Sequence, residues 1–142
     1  AEVRPADFWA TQLPDLKQQN QPLNQWLGKV LVVNFWAPWC PPCRQEIPGF
    51  IRLQERLGMQ GVQFIGIALD DADKVATFVQ ESRINYPILL GSSQAAALSY
   101  SSGNQSGGLP YTVLFNRQGN AVATLTGGVS EARLEALLKP LL

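Results

Sequence analysis

Residues 30–36 read V-L-V-V-N-F-W and run directly into A-P-W-C-P-P-C. A short stretch so continuously apolar, β-branched and aromatic is the pattern of a strand covered on both faces, and such a strand needs a sheet with a layer on each side. The run ends in three prolines and in the chain's only two cysteines, Cys40 and Cys43, with Pro41 and Pro42 between them. The prolines and cysteines make either a stiff turn closed by a structural disulfide or a reaction centre.

The rest of the chain supplies the layers. After the prolines, residues 43–59 place Ile47, Phe50, Ile51, Gln54 and Leu57 near helical spacing, with Pro41 and Pro42 suited to a first turn, Gly58 and Gly61 marking the end, and Pro48 expected to kink the middle. Residues 62–69 read as a second buried strand. Asp71 or Asp73 caps a helix carrying Val75, Phe78, Val79 and Ser82, residues 87–90 make a short strand, and 94–100 a short helix. The segment 99–108, S-Y-S-S-G-N-Q-S-G-G, reads as a loop. Runs 111–115 and 121–126 flank N-R-Q-G-N, a hairpin pattern, and Ser130 opens a last helix with Arg133, Leu134, Leu137 and Leu138. The order β-α-β-α-β-α-β-β-α predicts an α/β fold with a mixed sheet. Residues 1–28, broken by Pro5, Pro14 and Pro22, read as an N-terminal hairpin or cover, and the 142 residues as one domain with its core in 29–142.

Composition excludes more than it suggests. Eleven basic side chains balance eleven acidic ones, with no basic run, so nothing points to nucleic acid. No apolar run approaches the roughly 20 residues of a membrane span. The chain starts at Ala1 rather than Met, so a membrane anchor or leader is expected, if anywhere, upstream. There is no histidine, and Arg44 follows Cys43. Histidine acid–base chemistry, C-x-x-C-H haem attachment and histidine-containing zinc or copper sites are thereby excluded, and two cysteines cannot build a four-cysteine metal site.

Position then decides between turn and reaction centre. Cys40 falls at the carboxyl end of a central strand and the start of a helix, where chemistry collects in open α/β sheets. Unpaired N–H groups and the positive end of the helix dipole favour thiolate there, and thiolate is the attacking species in disulfide exchange. A structural disulfide closing so small a loop would remove little chain entropy. Cys43, one turn on, is placed to close a ring with Cys40 or to resolve a mixed disulfide.

The segment N-F-W-A-P-W-C-P-P-C-R-Q-E-I-P resembles the active-site segment of thioredoxin-fold proteins, and within them the TlpA/ResA/DsbE-like bacterial thiol–disulfide oxidoreductases. G-G-L-P-Y-T, followed by a hairpin, resembles that family's second motif. The resemblance covers the chain from the N-terminal hairpin region to the last helix. It implies a thioredoxin-like fold and a cis Leu109–Pro110 bond beside the cysteines, with Leu109 and Pro110 holding a substrate backbone in strand-like pose. Thioredoxin carries a buried aspartate where this chain has Asn34, which cannot ionise. Glu46, three residues after Cys43, falls where the TlpA/ResA-like branch keeps a glutamate. On a helix it shares the Cys43 side, and burial would raise its pKa toward a range useful for proton exchange with a thiol. Trp39 and Pro41, flanking Cys40, are expected to form a docking rim, Trp36 to face the core, and Arg44 to be a solvated helix residue.

The resulting expectation is an extracytoplasmic protein-disulfide reductase, in the bacterial periplasm or at an extracytoplasmic membrane face. It would work as a monomer on protein disulfides, reduced by a membrane thiol–disulfide carrier, with no cofactor beyond the Cys40–Cys43 pair. Apocytochrome c cysteines and peroxide or methionine sulfoxide repair enzymes are the substrates the resemblance suggests. Pro41 and Pro42 lack N–H groups, so Cys43 is left as the nearest backbone donor to the Cys40 sulfur, which argues for a reductant rather than a strong oxidase. Two alternatives fit less well. A peroxiredoxin-like peroxidase needs Thr-x-x-Cys where Ala37 stands, and a copper-handling module needs a wider cysteine spacing and a histidine.

Overall fold

The computed structural model describes residues 5–142, so residues 1–4 of the expected N-terminal extension lie outside the described residues. A one-turn helix α1 (Ala6–Trp9) precedes a two-stranded antiparallel hairpin, β1 (Gln12–Pro14) and β2 (Asn20–Pro22). Asp15 builds its turn: one carboxylate oxygen accepts from the N–H groups of Lys17 at 2.8 Å and Gln19 at 3.0 Å, while Gln18 takes a left-handed φ of 62°. A 3-10 turn over Leu23–Trp26 leads into β3 (Val30–Trp36).

The helix α2 (Pro41–Leu57) follows, then β4 (Val62–Ala68), α3 (Ala72–Ser82), β5 (Ile88–Leu90), α4 (Ser93–Ser101), β6 (Tyr111–Phe115), β7 (Ala121–Thr126) and α5 (Glu131–Leu138). The five-stranded sheet has the order β5-β4-β3-β6-β7. β3 lies in its centre, parallel to β4 and antiparallel to β6, and β7 closes the far edge antiparallel to β6. All seven β3 residues are buried because both sheet faces are covered. Val30, Val32 and Trp36 join a core with α2, α3 and α5, whereas Leu31, Val33 and Phe35 join one with α1, the hairpin and α4.

The predicted α/β, thioredoxin-like architecture is therefore present, with helices on both faces of a mixed sheet and an N-terminal hairpin. Two local readings change. The segment 99–108 is not all loop, since α4 runs to Ser101: Ala95, Leu98 and Ser99 share one buried side, and that packing outweighs the weak helix propensity of the serines. The rest of the segment folds around buried Asn104, whose amide donates to Ser99 Oγ at 2.9 Å and to the Gly108 carbonyl at 2.8 Å. Second, α1 carries no helical period over so few residues, yet it buries Phe8 and Trp9. Phe8 stacks on Phe115 at 4.6 Å and Trp9 Nε1 donates to the Gly119 carbonyl at 2.9 Å. α2 continues through exposed Pro48 to Leu57, although that ring removes the N–H that would reach the Arg44 carbonyl.

Candidate active site

β3 delivers the chain to the site. Its last residue, Trp36, accepts from the Leu69 N–H at 2.9 Å, and the Cys40 N–H closes a turn onto the Ala37 carbonyl at 3.2 Å. Cys40 is then the N-cap of α2, with extended backbone angles, and Pro41 and Pro42 occupy the first helical positions, where their missing N–H groups cost the helix nothing. The N–H of Cys43 donates to Cys40 Sγ at 3.3 Å, the backbone donor expected to remain. Cys40 and Cys43 are joined as a disulfide, with Cα atoms 5.3 Å apart. Cys40 is only 3% exposed and Cys43 is fully buried, while Trp39 beside them is 64% exposed and Pro41 is also on the surface.

Glu46 lies on the buried side of α2 with Cys43. Its Oε2 accepts from Asn34 Nδ2 at 2.8 Å, and its Oε1 from the Val129 N–H at 3.2 Å. Burial disfavours the anion and these donors favour it; burial dominates and pushes the Glu46 carboxyl up to about 7. A cleft of about 300 Å³, bounded by Pro42, Gln45, Gly128, Val129 and Ser130, reaches Glu46. Tyr86 is buried nearby, and burial, then the charge of Glu46, hold its hydroxyl well above the usual range.

The Leu109–Pro110 bond is cis, as the resemblance implied, and leads into β6. Pro110 is buried and its carbonyl accepts from the Gly127 N–H at 2.9 Å; half-buried Leu109 packs on the core that contains both cysteines. Trp36 is core-facing, 5.4 Å from the Phe78 ring. Arg44 is exposed, as expected, and its guanidinium lies over Phe78 at 5.9 Å. A second cleft of about 560 Å³ runs from Pro38 and Trp39 past Arg44 to Phe78 and Glu81. Among the described residues, no group of three or more His, Cys, Asp or Glu is gathered as metal ligands.

The sequence reading missed the hydrogen-bonded group around Glu46, in which Asn34 bridges Glu46 and Thr112 and the Val129 N–H donates to Glu46. Asn34 stood out only as a replaced aspartate, Thr112 as one more strand residue, and Val129 acts through its backbone N–H, which no side-chain pattern discloses.

The AhpC/TSA family model matches residues 6–123. The chain is 32% identical over 132 residues to thiol-disulfide oxidoreductase ResA of Halalkalibacterium halodurans, covering 90% of this chain and 73% of that protein. The chain belongs to the AhpC/TSA family, as a thioredoxin-fold thiol–disulfide oxidoreductase. Among solved structures, a thiol:disulfide interchange protein of the thioredoxin family from Chlorobium tepidum TLS superposes with a TM-score of 0.83 at 26% identity, covering 99% of each chain. A secreted disulfide oxidoreductase of Mycobacterium tuberculosis shares the fold, with a TM-score of 0.81 at 22% identity over 96% of this chain and 99% of that one. In this AhpC/TSA member the C-P-P-C pair sits at the strand-to-helix junction, oxidised, with an acid of raised proton affinity on the same helix side.

Proposed function

We propose that the protein is an extracytoplasmic reductant of protein disulfides, acting as a single monomeric thioredoxin-like domain. The observation that carries this reading is the buried Cys40–Cys43 pair at the start of α2, with Glu46 on the same helix side. Cys40 thiolate attacks one sulfur of the substrate disulfide, whose other sulfur leaves as thiolate and takes a proton from water. Cys43 gives its proton to the Glu46 carboxylate and attacks Cys40 Sγ. The bond between Cys40 and the substrate breaks, and the second substrate sulfur leaves as thiolate and takes the proton held by Glu46, which returns to carboxylate. The substrate has gained two electrons and two protons, and the Cys40–Cys43 disulfide has formed. A donor dithiol reverses these steps to restore the pair; a membrane thiol–disulfide carrier fits this role, and no cofactor is required beyond the pair.

Trp39 and Pro41, exposed beside a nearly buried Cys40, would guide a substrate segment toward it, and Leu109 and Pro110 would hold its backbone in a strand-like pose. The periplasm or an extracytoplasmic membrane face is the compartment that the resemblance to bacterial extracytoplasmic oxidoreductases supports. Among the described residues no helix is long and apolar enough to cross a membrane. Apocytochrome c cysteines are one candidate substrate class.

The test is direct. Cys40→Ser should abolish insulin-type disulfide reduction, and Cys43→Ala should accumulate a mixed disulfide with partners in the native compartment, which can then be identified. Turnover retained by Cys40→Ser overturns the mechanism, and fast peroxide consumption by the reduced protein would shift the reading to a thiol peroxidase.

A further inference from the structure

Asn34 is a polar residue in the middle of the most apolar strand of the sheet, 1% exposed. Its Nδ2 donates to Glu46 Oε2 at 2.8 Å and to Thr112 Oγ1 of β6 at 3.1 Å, so both amide protons are used. Its Oδ1 is buried without a hydrogen-bond partner. An orphaned buried carbonyl destabilises a fold, and an apolar side chain of similar shape would avoid that cost. Packing alone therefore gives no reason for an amide here. Holding a carboxylate does.

The opposite amide orientation shows why. With Oδ1 turned toward Glu46 and Thr112, it could accept from the Thr112 hydroxyl or from a protonated Glu46, but it could offer no hydrogen bond to the Glu46 carboxylate. The arrangement observed serves the carboxylate. The groups facing Glu46 are Asn34 from β3, the Val129 N–H from the segment before α5, and Tyr86 from the segment before β5. None is cationic. Of the two donors on the carboxylate, one is backbone, so among the described residues Asn34 is the side chain that hydrogen-bonds it.

We infer that Asn34 is a positioning residue that sets how readily Glu46 gives up and takes back its proton, anchored for that task to β6 through Thr112. The inference rests on the reading of Glu46 as the proton acceptor for Cys43. In place of an ionisable aspartate on this strand, the chain uses a neutral amide to tune an acid on the neighbouring helix.

The experiment follows the Glu46 carboxyl carbon by NMR across pH in the oxidised protein, alongside the pH profile of mixed-disulfide resolution by Cys43. Asn34→Ala should move the carboxyl midpoint up by about one unit, the size expected for losing one hydrogen bond to a charge. Asn34→Asp, the same size, sets two carboxylates in contact; they should titrate as a coupled pair, with the upper midpoint moved further than in Asn34→Ala. In a Glu46→Gln background, Asn34→Ala should leave the resolution profile where Glu46→Gln alone puts it. A carboxyl midpoint unmoved in both Asn34 variants overturns the inference. A resolution profile unchanged by Glu46→Gln alone instead overturns the proton-acceptor reading beneath it.

Discussion

Glu46 combines two opposed forces. It is 6% exposed in a core of apolar side chains, yet each carboxylate oxygen accepts a hydrogen bond. Burial prevails, raising its proton affinity from an ordinary 4.5 to about 7. The native state therefore holds this proton more tightly than the unfolded chain. Between these values it binds more protons than the unfolded state, so stability is greatest below pH 4.5 for this group and falls as pH rises through 7. The loss amounts to about 3 kcal/mol at most. Replacing Glu46 by Gln removes the charge, so urea titrations should show the variant gaining on the parent as pH goes from 5 to 8. A gap independent of pH would mean that native Glu46 is already ionised across that range, its proton affinity no higher than in the unfolded chain.

At the scale of elements, the start of α2 is where sequence and chemistry meet most closely. The prolines fill the positions that would otherwise offer N–H groups to the cap, leaving the Cys43 N–H on the Cys40 sulfur. Pro42→Ala should restore a donor to the thiolate, stabilise the reduced form and raise the reduction potential by about 30 mV for each tenfold gain in that stabilisation. A potential measured in glutathione buffers that stays level or falls would remove the prolines from the tuning of electron flow. This part of the site was legible because its information is local: the apolar run Val30–Trp36 declares the strand, the prolines declare the helix start, and the three-residue step from Cys43 to Glu46 declares a shared side. What was illegible is non-local. Asn34 meets Thr112 through the register of β3 on β6, and Val129 meets Glu46 because α5 packs on α2. The two helices pack closely at Gly49, where a Cβ would lie 3.1 Å from the Glu131 Cβ, and Arg52 and Arg56 pair across them with Glu131 and Glu135. No spacing rule along the chain carries those meetings.

Across the whole molecule, the sheet separates the reaction from its support. Both cysteines belong to the core shared with α2, α3 and α5, and the N-terminal helix and hairpin close the other. Leu13 is fully buried on that second side. Leu13→Ala should cost about 3 kcal/mol in a denaturant titration, while disulfide reduction measured well below the melting temperature stays near the parent rate. A matching loss of rate would mean that the cover communicates with the cysteines. The sealing of Cys43 has a kinetic meaning of its own. Fully enclosed and 5.3 Å from its partner between Cα atoms, it competes with outside thiols as a group already in place, at an effective concentration of about 10⁵ M or more for well-aligned neighbours. Dissolved thiols at cellular levels cannot match that. How long a captured protein stays attached is thus set by one enclosed sulfur and its proton, whatever the redox buffer outside.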